Sequence, residues 1–353
     1  MPIGNSLSIL KSLKISKFLQ LGNDINGSYA TEQFGVSVDM NSTGNIIAVG
    51  SNNVSTKSIK VYSWDGTNWI QLGNNIFQNS LQGIFSLNDT GNRIAVSETL
   101  FVQNSGFSGR VAIYELNVAT WSRIGNYITD PNVPINNSLG NGGFGNSVSM
   151  NSTGDRVAIS DIYTGIANTS NASIWNIGYV RIYSYNGTDW VQLGNTITGE
   201  AGYDESGSSV SINSIGDIVA IGAPLNDGNG IDSGHVRIYS YNGTDWVQLG
   251  NDINGKAVRD ESGSSVSINS IGDRVAIGSP FNDGNGIDSG SVSIYSYNGT
   301  DWIRVKTDID GQSAGDLLNS VSMNSAGNRV VIGSMNSDTN GKNNTGKVRV
   351  FTL

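Results

Sequence analysis

The sequence lacks several residue types on which common functional sites depend. Its 353 residues include no cysteine, one histidine and five prolines. The absence of cysteine excludes disulfides, thiolate metal sites and cysteine nucleophiles. The single histidine, His235, argues against Ser–His–Asp chemistry and against metal sites built from several histidines.

Charged residues are also scarce, at 14% of the chain against a usual fraction of about 25%. Acidic residues outnumber basic ones 29 to 20, and the basic ones are scattered singly, so we expect no nucleic-acid partner. No window approaches the roughly 18 consecutive apolar residues of a membrane span, so we expect no membrane insertion. The first residues, MPIGNSLSILKSLK, do not have the pattern of a secretory signal.

The chain is rich in internal repeats. Residues 191–246 and 247–302 differ at only 10 of 56 positions. An aromatic residue before a segment similar to QLGN marks six units along the chain, at Phe18, Trp69, Trp121, Trp190, Trp246 and Trp302. We therefore predict an N-terminal arm (1–16) and one domain (17–353) with units at about 18–68, 69–120, 121–189, 190–245, 246–301 and 302–353.

Each unit has the pattern of β-strands. Residues 236–241 (VRIYSY) alternate apolar and polar side chains, which is typical of a half-buried strand. The following Asn242 and Gly243 favour a tight hairpin into a further strand at 246–250. Upstream, segments 208–213 and 218–222 flank another tight turn. The sequence thus predicts four short antiparallel strands per unit, here named A, B, C and D.

Repeated four-stranded units predict a β-propeller. The last unit ends after its third strand, at 347–351 (KVRVF), and lacks the fourth. Near the N-terminus, residues 18–22 (FLQLG) match that missing strand and have no strands before them. We therefore predict an all-β, six-bladed β-propeller whose N-terminal latch strand, 18–22, completes the last blade and covers its edge.

Two short motifs resemble the FG-GAP repeat of integrin-α-type propellers. The segment beginning at Phe144-Gly145 and the one beginning at Phe34-Gly35 match the FG part, and residues 221–224 (IGAP) match the GAP part. The calcium loop of that family, D-x-D-x-D-G, is absent, so its calcium sites are not carried over. The resemblance implies a propeller that binds a ligand or partner at a cell or particle surface and is not an enzyme.

The loops divide between two faces. The A–B and C–D turns are tight, whereas the D–A and B–C connections on the other face are long and vary in length. We expect function on this second face, called the loop face below. Its B–C loops carry an oxygen-rich motif that suits either calcium or turn formation. The candidate ligands are Asp227, Asn229, Asp232, Asp283, Asn285 and Asp288.

Two further groups of residues lie on the predicted loop face. The carboxylate pairs Asp204-Glu205 and Asp260-Glu261 could serve hydrolysis, but their repetition in adjacent blades favours a structural role. Long insertions in the second and third units carry aromatic and amide side chains that suit a sugar or a protein partner, or that pin the loops to the propeller. These are Tyr163, Trp175, Phe101, Phe107, Asn136 and Asn137.

The sequence therefore predicts a non-catalytic recognition or structural propeller that binds a glycan or a protein partner through the loop face. We expect an extracellular surface or virion location and no cofactor, with calcium as the one candidate ion. Two alternatives stay open at this point. One is a carbohydrate-active hydrolase that uses loop carboxylates, and the other is a purely structural virion or coat component.

Overall fold

Alternating apolar and polar residues form short antiparallel strands throughout the described part of the chain. The computed structural model describes residues 20–28, 32–51, 57–77, 84–103, 106–131, 143–162, 176–334, 336–337 and 346–353, with only the backbone at 99–108 and 319. These residues contain strands and turns but no helix, so none of them belongs to a helix that could cross a membrane.

The described strands form six antiparallel sheets arranged as the blades of a propeller, which confirms the predicted six-bladed fold. The first three sheets contain β1 (Ser37–Met40), β2 (Ile46–Ser51), β3 (Ser58–Trp64), β4 (Trp69–Gln71) and β5 (Ile76–Phe77); β6 (Phe85–Leu87), β7 (Arg93–Gln103), β8 (Gly106–Asn117) and β9 (Thr120–Thr129); β10 (Val148–Met150), β11 (Arg156–Asp161), β12 (Tyr179–Tyr185), β13 (Trp190–Gln192) and β14 (Ile197–Thr198).

The other three sheets repeat this order. They contain β15 (Ser209–Ile212), β16 (Ile218–Ala223), β17 (His235–Tyr241), β18 (Trp246–Gln248) and β19 (Ile253–Asn254); β20 (Ser265–Ile268), β21 (Arg274–Ser279), β22 (Ser291–Tyr297), β23 (Trp302–Arg304) and β24 (Ile309–Asp310); β25 (Leu318–Met323), β26 (Arg329–Ser334) and β27 (Lys347–Thr352). In four blades a two-residue strand follows strand D and pairs with the start of strand C, as β19 does with β17.

The hydrophobic core lies between blades. One cluster joins Val236 and Ile238 of β17 to Val266 and Ile268 of β20 in the next blade. At the outer edge, the indole Nε1 of Trp246 donates a hydrogen bond to the Leu193 carbonyl of the preceding blade at 2.8 Å. Because each blade buries its apolar face only against a neighbour, the blades stabilise one another.

Near the axis, the inner strands are joined by backbone and side-chain hydrogen bonds. The Ser214 amide donates to the Ser152 carbonyl's counterpart at Ser270, and the Ser152 amide donates to the Ser214 carbonyl, each at 3.1 Å. Strand A also carries an acceptor for the next blade. The Oγ of Ser149 accepts from the Ile212 amide at 3.1 Å, and Asp39 takes the equivalent place in the first blade.

The first and last blades meet at a seam. Val38 of β1 is 71% exposed and Val348 of β27 is 69% exposed, whereas the equivalent residues of the fourth blade, Val210 and Val236, are 7% and 0% exposed. Residues 20–28 contain no strand, and the rest of the predicted latch lies outside the described residues. The Leu21 carbonyl nevertheless accepts a hydrogen bond from Trp69 Nε1, as the outer-strand leucines do elsewhere.

Candidate functional site

The start of strand C in the fourth blade carries the single histidine. Strand β17 begins at His235, whose neighbours across the sheet are Ala223 and Asn254. Side chains alternate along a strand, so Val236 enters the core towards the fifth blade while His235 and Arg237 lie on the opposite side. His235 is only 3% exposed, which places its imidazole inside the loop face.

Arg237 joins two carboxylates that come from different connections. Its Nε and Nη2 donate to the two carboxylate oxygens of Asp252, both at 3.0 Å, and Nη2 also forms an ion pair with Glu200. Glu200 lies between β14 and β15, and Asp252 lies between β18 and β19. Burial raises the pKa of the Asp252 carboxyl, but hydrogen bonds from Arg237 and Gln248 outweigh burial and hold that pKa below its usual range.

The imidazole faces the same carboxylates. His235 Nδ1 lies 3.9 Å from Glu200 Oε2 and has no hydrogen-bond partner. Burial lowers the pKa of His235, and the negative charges of Asp252 and Asp204 offset part of that effect. Single donor atoms of Glu200, His235 and Asp252 all lie within 4.8 Å of one another. The four side chains Glu200, His235, Arg237 and Asp252 are called the His235 cluster below.

The His235 cluster is specific to one blade. In the fifth blade the equivalent residues are Lys256, Ser291, Ser293 and Asp308. There Lys256 forms an ion pair with Asp308, and Ser293 Oγ donates to Asp308 Oδ1 at 2.7 Å. A general acid or base and a guanidinium therefore face the carboxylates only in the fourth of these two nearly identical blades.

A signal for this cluster is present in the sequence, in the positions at which the two 56-residue copies differ. Nine of the ten lie in the D–A connection or at the adjoining ends of strands B and C, and Ile218 is the exception. These nine are Thr196, Thr198, Glu200, Gly202, Tyr203, Ala223, Leu225, His235 and Arg237. The copies thus keep the same core and diverge on the loop face.

The acidic B–C loops make their contacts within the chain. Asp227 Oδ1 accepts from the Asp232 amide at 2.9 Å, and Asp283 Oδ1 accepts from the Asp288 amide at 2.8 Å. Asn229 and Asn285 donate from Nδ2 to the Gly255 and Gly311 carbonyls, each at 2.8 Å, and so tie each loop to the next D–A connection. Calcium binding by these six residues stays a prediction.

The paired loop carboxylates are not equivalent to the His235 cluster. Asp260 is buried, and its Oδ2 accepts from the amides of Lys256 and Ala257 and from Asn282 Nδ2 at 3.0–3.2 Å. Asp204 accepts from Asn226 and the Ala201 amide in the same way. These aspartates hold the D–A connections in shape. Burial raises the pKa of the adjacent Glu205 and Glu261 carboxyls.

The predicted aromatic and amide ligands lie where side chains are not described. Tyr163, Trp175, Asn136 and Asn137 lie outside the described residues. Phe101 and Phe107 lie on the paired strands β7 and β8, described by backbone only. Their role in ligand binding stays a prediction.

No protein-family model matches the chain, and no curated protein sequence is similar enough to match it. Solved structures do match. The periplasmic gluconolactonase of Pseudomonas aeruginosa has 12% identity and a TM-score of 0.56, covering 89% of this chain and 87% of that one. A putative 6-phosphogluconolactonase of Bacteroides fragilis has 9% identity and a TM-score of 0.53, covering 84% and 75%.

A third structure, a putative 6-phosphogluconolactonase of Bacteroides uniformis, has 11% identity and a TM-score of 0.53 and covers 89% of this chain and 88% of that one. At these identities the similarity shows the propeller fold. It corrects three predictions. The FG-GAP resemblance is wrong, because the matching propellers named here are lactonases rather than integrin-type proteins. A non-catalytic role and the absence of enzyme activity are contradicted by the same matches, since short FG and GAP motifs report blade geometry, not function.

Proposed function

We propose that this protein hydrolyses a sugar lactone, the cyclic ester of a sugar acid, at the His235 cluster. The observation that carries the proposal is a blade-specific group of two carboxylates, an imidazole and a guanidinium on the loop face. The similar propellers named as gluconolactonase and putative 6-phosphogluconolactonase support the substrate class.

The reaction requires two things of the site. Water adds to the ester carbonyl carbon, the ring C–O bond breaks, and the product is an open hydroxy acid. Addition places negative charge on the carbonyl oxygen, and Arg237 is the cation nearest the imidazole that stabilises it. Asp252 orients that guanidinium through two hydrogen bonds.

The attacking water also has a place between two facing atoms. The 3.9 Å between His235 Nδ1 and Glu200 Oε2 is too long for a direct hydrogen bond and suits a water that bonds to both. Glu200 is 46% exposed, so the outer side of this gap is open to a substrate from solvent.

The experiment is a titration of acid release from 1,5- and 1,4-lactones of sugar acids, with the spontaneous rate subtracted. The test variant is Arg237→Ser, which carries the residue found at the same position of the fifth blade, Ser293. Loss of the oxyanion-stabilising cation is expected to lower kcat about 10²-fold or more. Equal rates for Arg237→Ser and the unmodified protein would overturn the assignment of the site.

A further inference from the structure

We infer that Glu200, His235 and Asp252 bind one divalent transition-metal ion. Each offers a donor atom, and the three donors lie within 4.8 Å of one another on the loop face. Among the residues that the structure describes, no other histidine or carboxylate group meets this criterion. Small side-chain rotations would bring the donors to the roughly 2.0–2.2 Å typical of bonds from zinc to nitrogen and oxygen.

The buried imidazole is the independent observation that points to a ligand. His235 Nδ1 has no hydrogen-bond partner although the side chain is 3% exposed. A buried polar atom without a partner is costly, and one that persists calls for an explanation. Its lone pair faces Glu200 Oε2, so a cation held between the two would satisfy both atoms at once.

The charge at the site leaves room for a cation. Glu200 and Asp252 carry two negative charges, and the buried Asp204 adds a third nearby, against the single positive charge of Arg237. Arg237 takes one lone pair of each carboxylate oxygen that it contacts, and every carboxylate oxygen has a second. The ion therefore does not require the guanidinium to leave.

The donor set selects the class of metal. One imidazole nitrogen with two carboxylate oxygens suits zinc, manganese, iron or cobalt, whereas calcium prefers an all-oxygen site. Three protein ligands leave coordination positions for water, as in catalytic zinc sites. The catalytic consequence rests on the proposed function: the ion would lower the pKa of its water towards about 7 and so supply the nucleophile for the lactone.

The test is a calorimetric titration of the full chain, without a histidine tag and after dialysis against chelator, with ZnCl₂, MnCl₂ and CaCl₂. We expect one saturable site for zinc or manganese and binding at least tenfold weaker for calcium. Two variants use residues from equivalent positions of neighbouring blades, His235→Ser and Asp252→Thr. Each should weaken binding at least tenfold, while the matched control Ser291→Ala should not change it.

A second readout is available because the chain has a single histidine. Its imidazole ¹⁵N signals should shift when zinc is added, and in Asp252→Thr they should shift only at much higher zinc concentrations. The metal inference fails if no saturable binding occurs, or if His235→Ser binds as tightly as the unmodified protein. Metal binding without lactone hydrolysis would remove the proposed function and keep the site. Undiminished hydrolysis without any metal binding would do the opposite.

Discussion

The indole Nε1 of Trp69 donates a hydrogen bond to the carbonyl of Leu21 at 3.0 Å, across 48 residues of sequence. The same bond links Trp246 to Leu193 and Trp302 to Leu249, in each case from the outer strand of one blade to that of the preceding blade. Leu21 therefore occupies the place of an outer strand before the first blade, which in a ring is the sixth.

This relationship predicts that the N-terminal segment contributes to stability as an outer strand does. Trp69→Phe removes the bond to Leu21 and should lower the free energy of unfolding by about 1 kcal/mol or more. Trp246→Phe removes the equivalent bond and serves as the comparison. Urea denaturation measures both. A loss for Trp246→Phe with none for Trp69→Phe would show that the N-terminal segment is not held in this position.

Asp39 predicts a pH-dependent stability. Burial raises the pKa of its carboxyl from 3.8 to about 6, against smaller lowering by hydrogen bonds from the Leu87 and Met40 amides. The folded state therefore binds the proton more tightly than the unfolded state, so the contribution of Asp39 to stability falls as pH rises from about 4 to 6 and then stays constant. The shift corresponds to about 3 kcal/mol.

Asp39→Ser introduces the residue that occupies this position in other blades, such as Ser149 and Ser211. We expect it to stabilise the protein above pH 6 and to have little effect at pH 4. Thermal melts across this range provide the measurement. A variant that is less stable than the unmodified protein at pH 7 would show that the Asp39 carboxylate is favourable where it lies.

Asp260 is predicted to act on the fold and not on the chemistry. Asp260→Ala leaves the amides of Lys256 and Ala257 and the Asn282 side chain without their acceptor, at a cost of about 2–3 kcal/mol. Lactone hydrolysis should persist below the lowered melting temperature. The exposed Asp245→Ala, within about 0.5 kcal/mol of the unmodified protein, is the control. Loss of hydrolysis in a folded Asp260→Ala would place this aspartate in the site after all.

The seam predicts different costs for two equivalent valines. Val210→Ser introduces a hydroxyl into a packed interface and should cost about 2 kcal/mol, whereas Val38→Ser changes a side chain that is 71% exposed and should cost almost nothing. Chemical denaturation of both variants distinguishes the two interfaces. Equal losses would mean that the first and last blades pack together in solution as tightly as the others.

The fold could be predicted from the sequence because its information is local and repeated. Strand alternation in segments such as 236–241 and the Asn242–Gly243 turn fix each blade, and the repeat count fixes the ring. The loop face was also predicted. The His235 cluster was not, because Glu200 and Asp252 are 35 and 17 residues from His235 and meet it only once β19 pairs with β17.

The single histidine was interpreted as evidence against catalysis, which assumed that a site needs several histidines. The structure instead surrounds that one imidazole with carboxylates from two connections. The differences between the two long copies, concentrated around Glu200 and His235, were the available signal. Repetition marks what the fold needs, and departures from it mark where the blades can carry separate functions.

The most direct test of this account is to transplant the fifth-blade residues into the fourth. The variant Glu200→Lys/His235→Ser/Arg237→Ser reproduces a set already folded at Lys256, Ser291 and Ser293. Initial rates of acid release from glucono-1,5-lactone are compared with the spontaneous rate. We predict saturable hydrolysis by the unmodified protein and only the spontaneous rate for the triple variant. Hydrolysis that survives the transplant, or that is absent from the unmodified protein, would contradict the central claim.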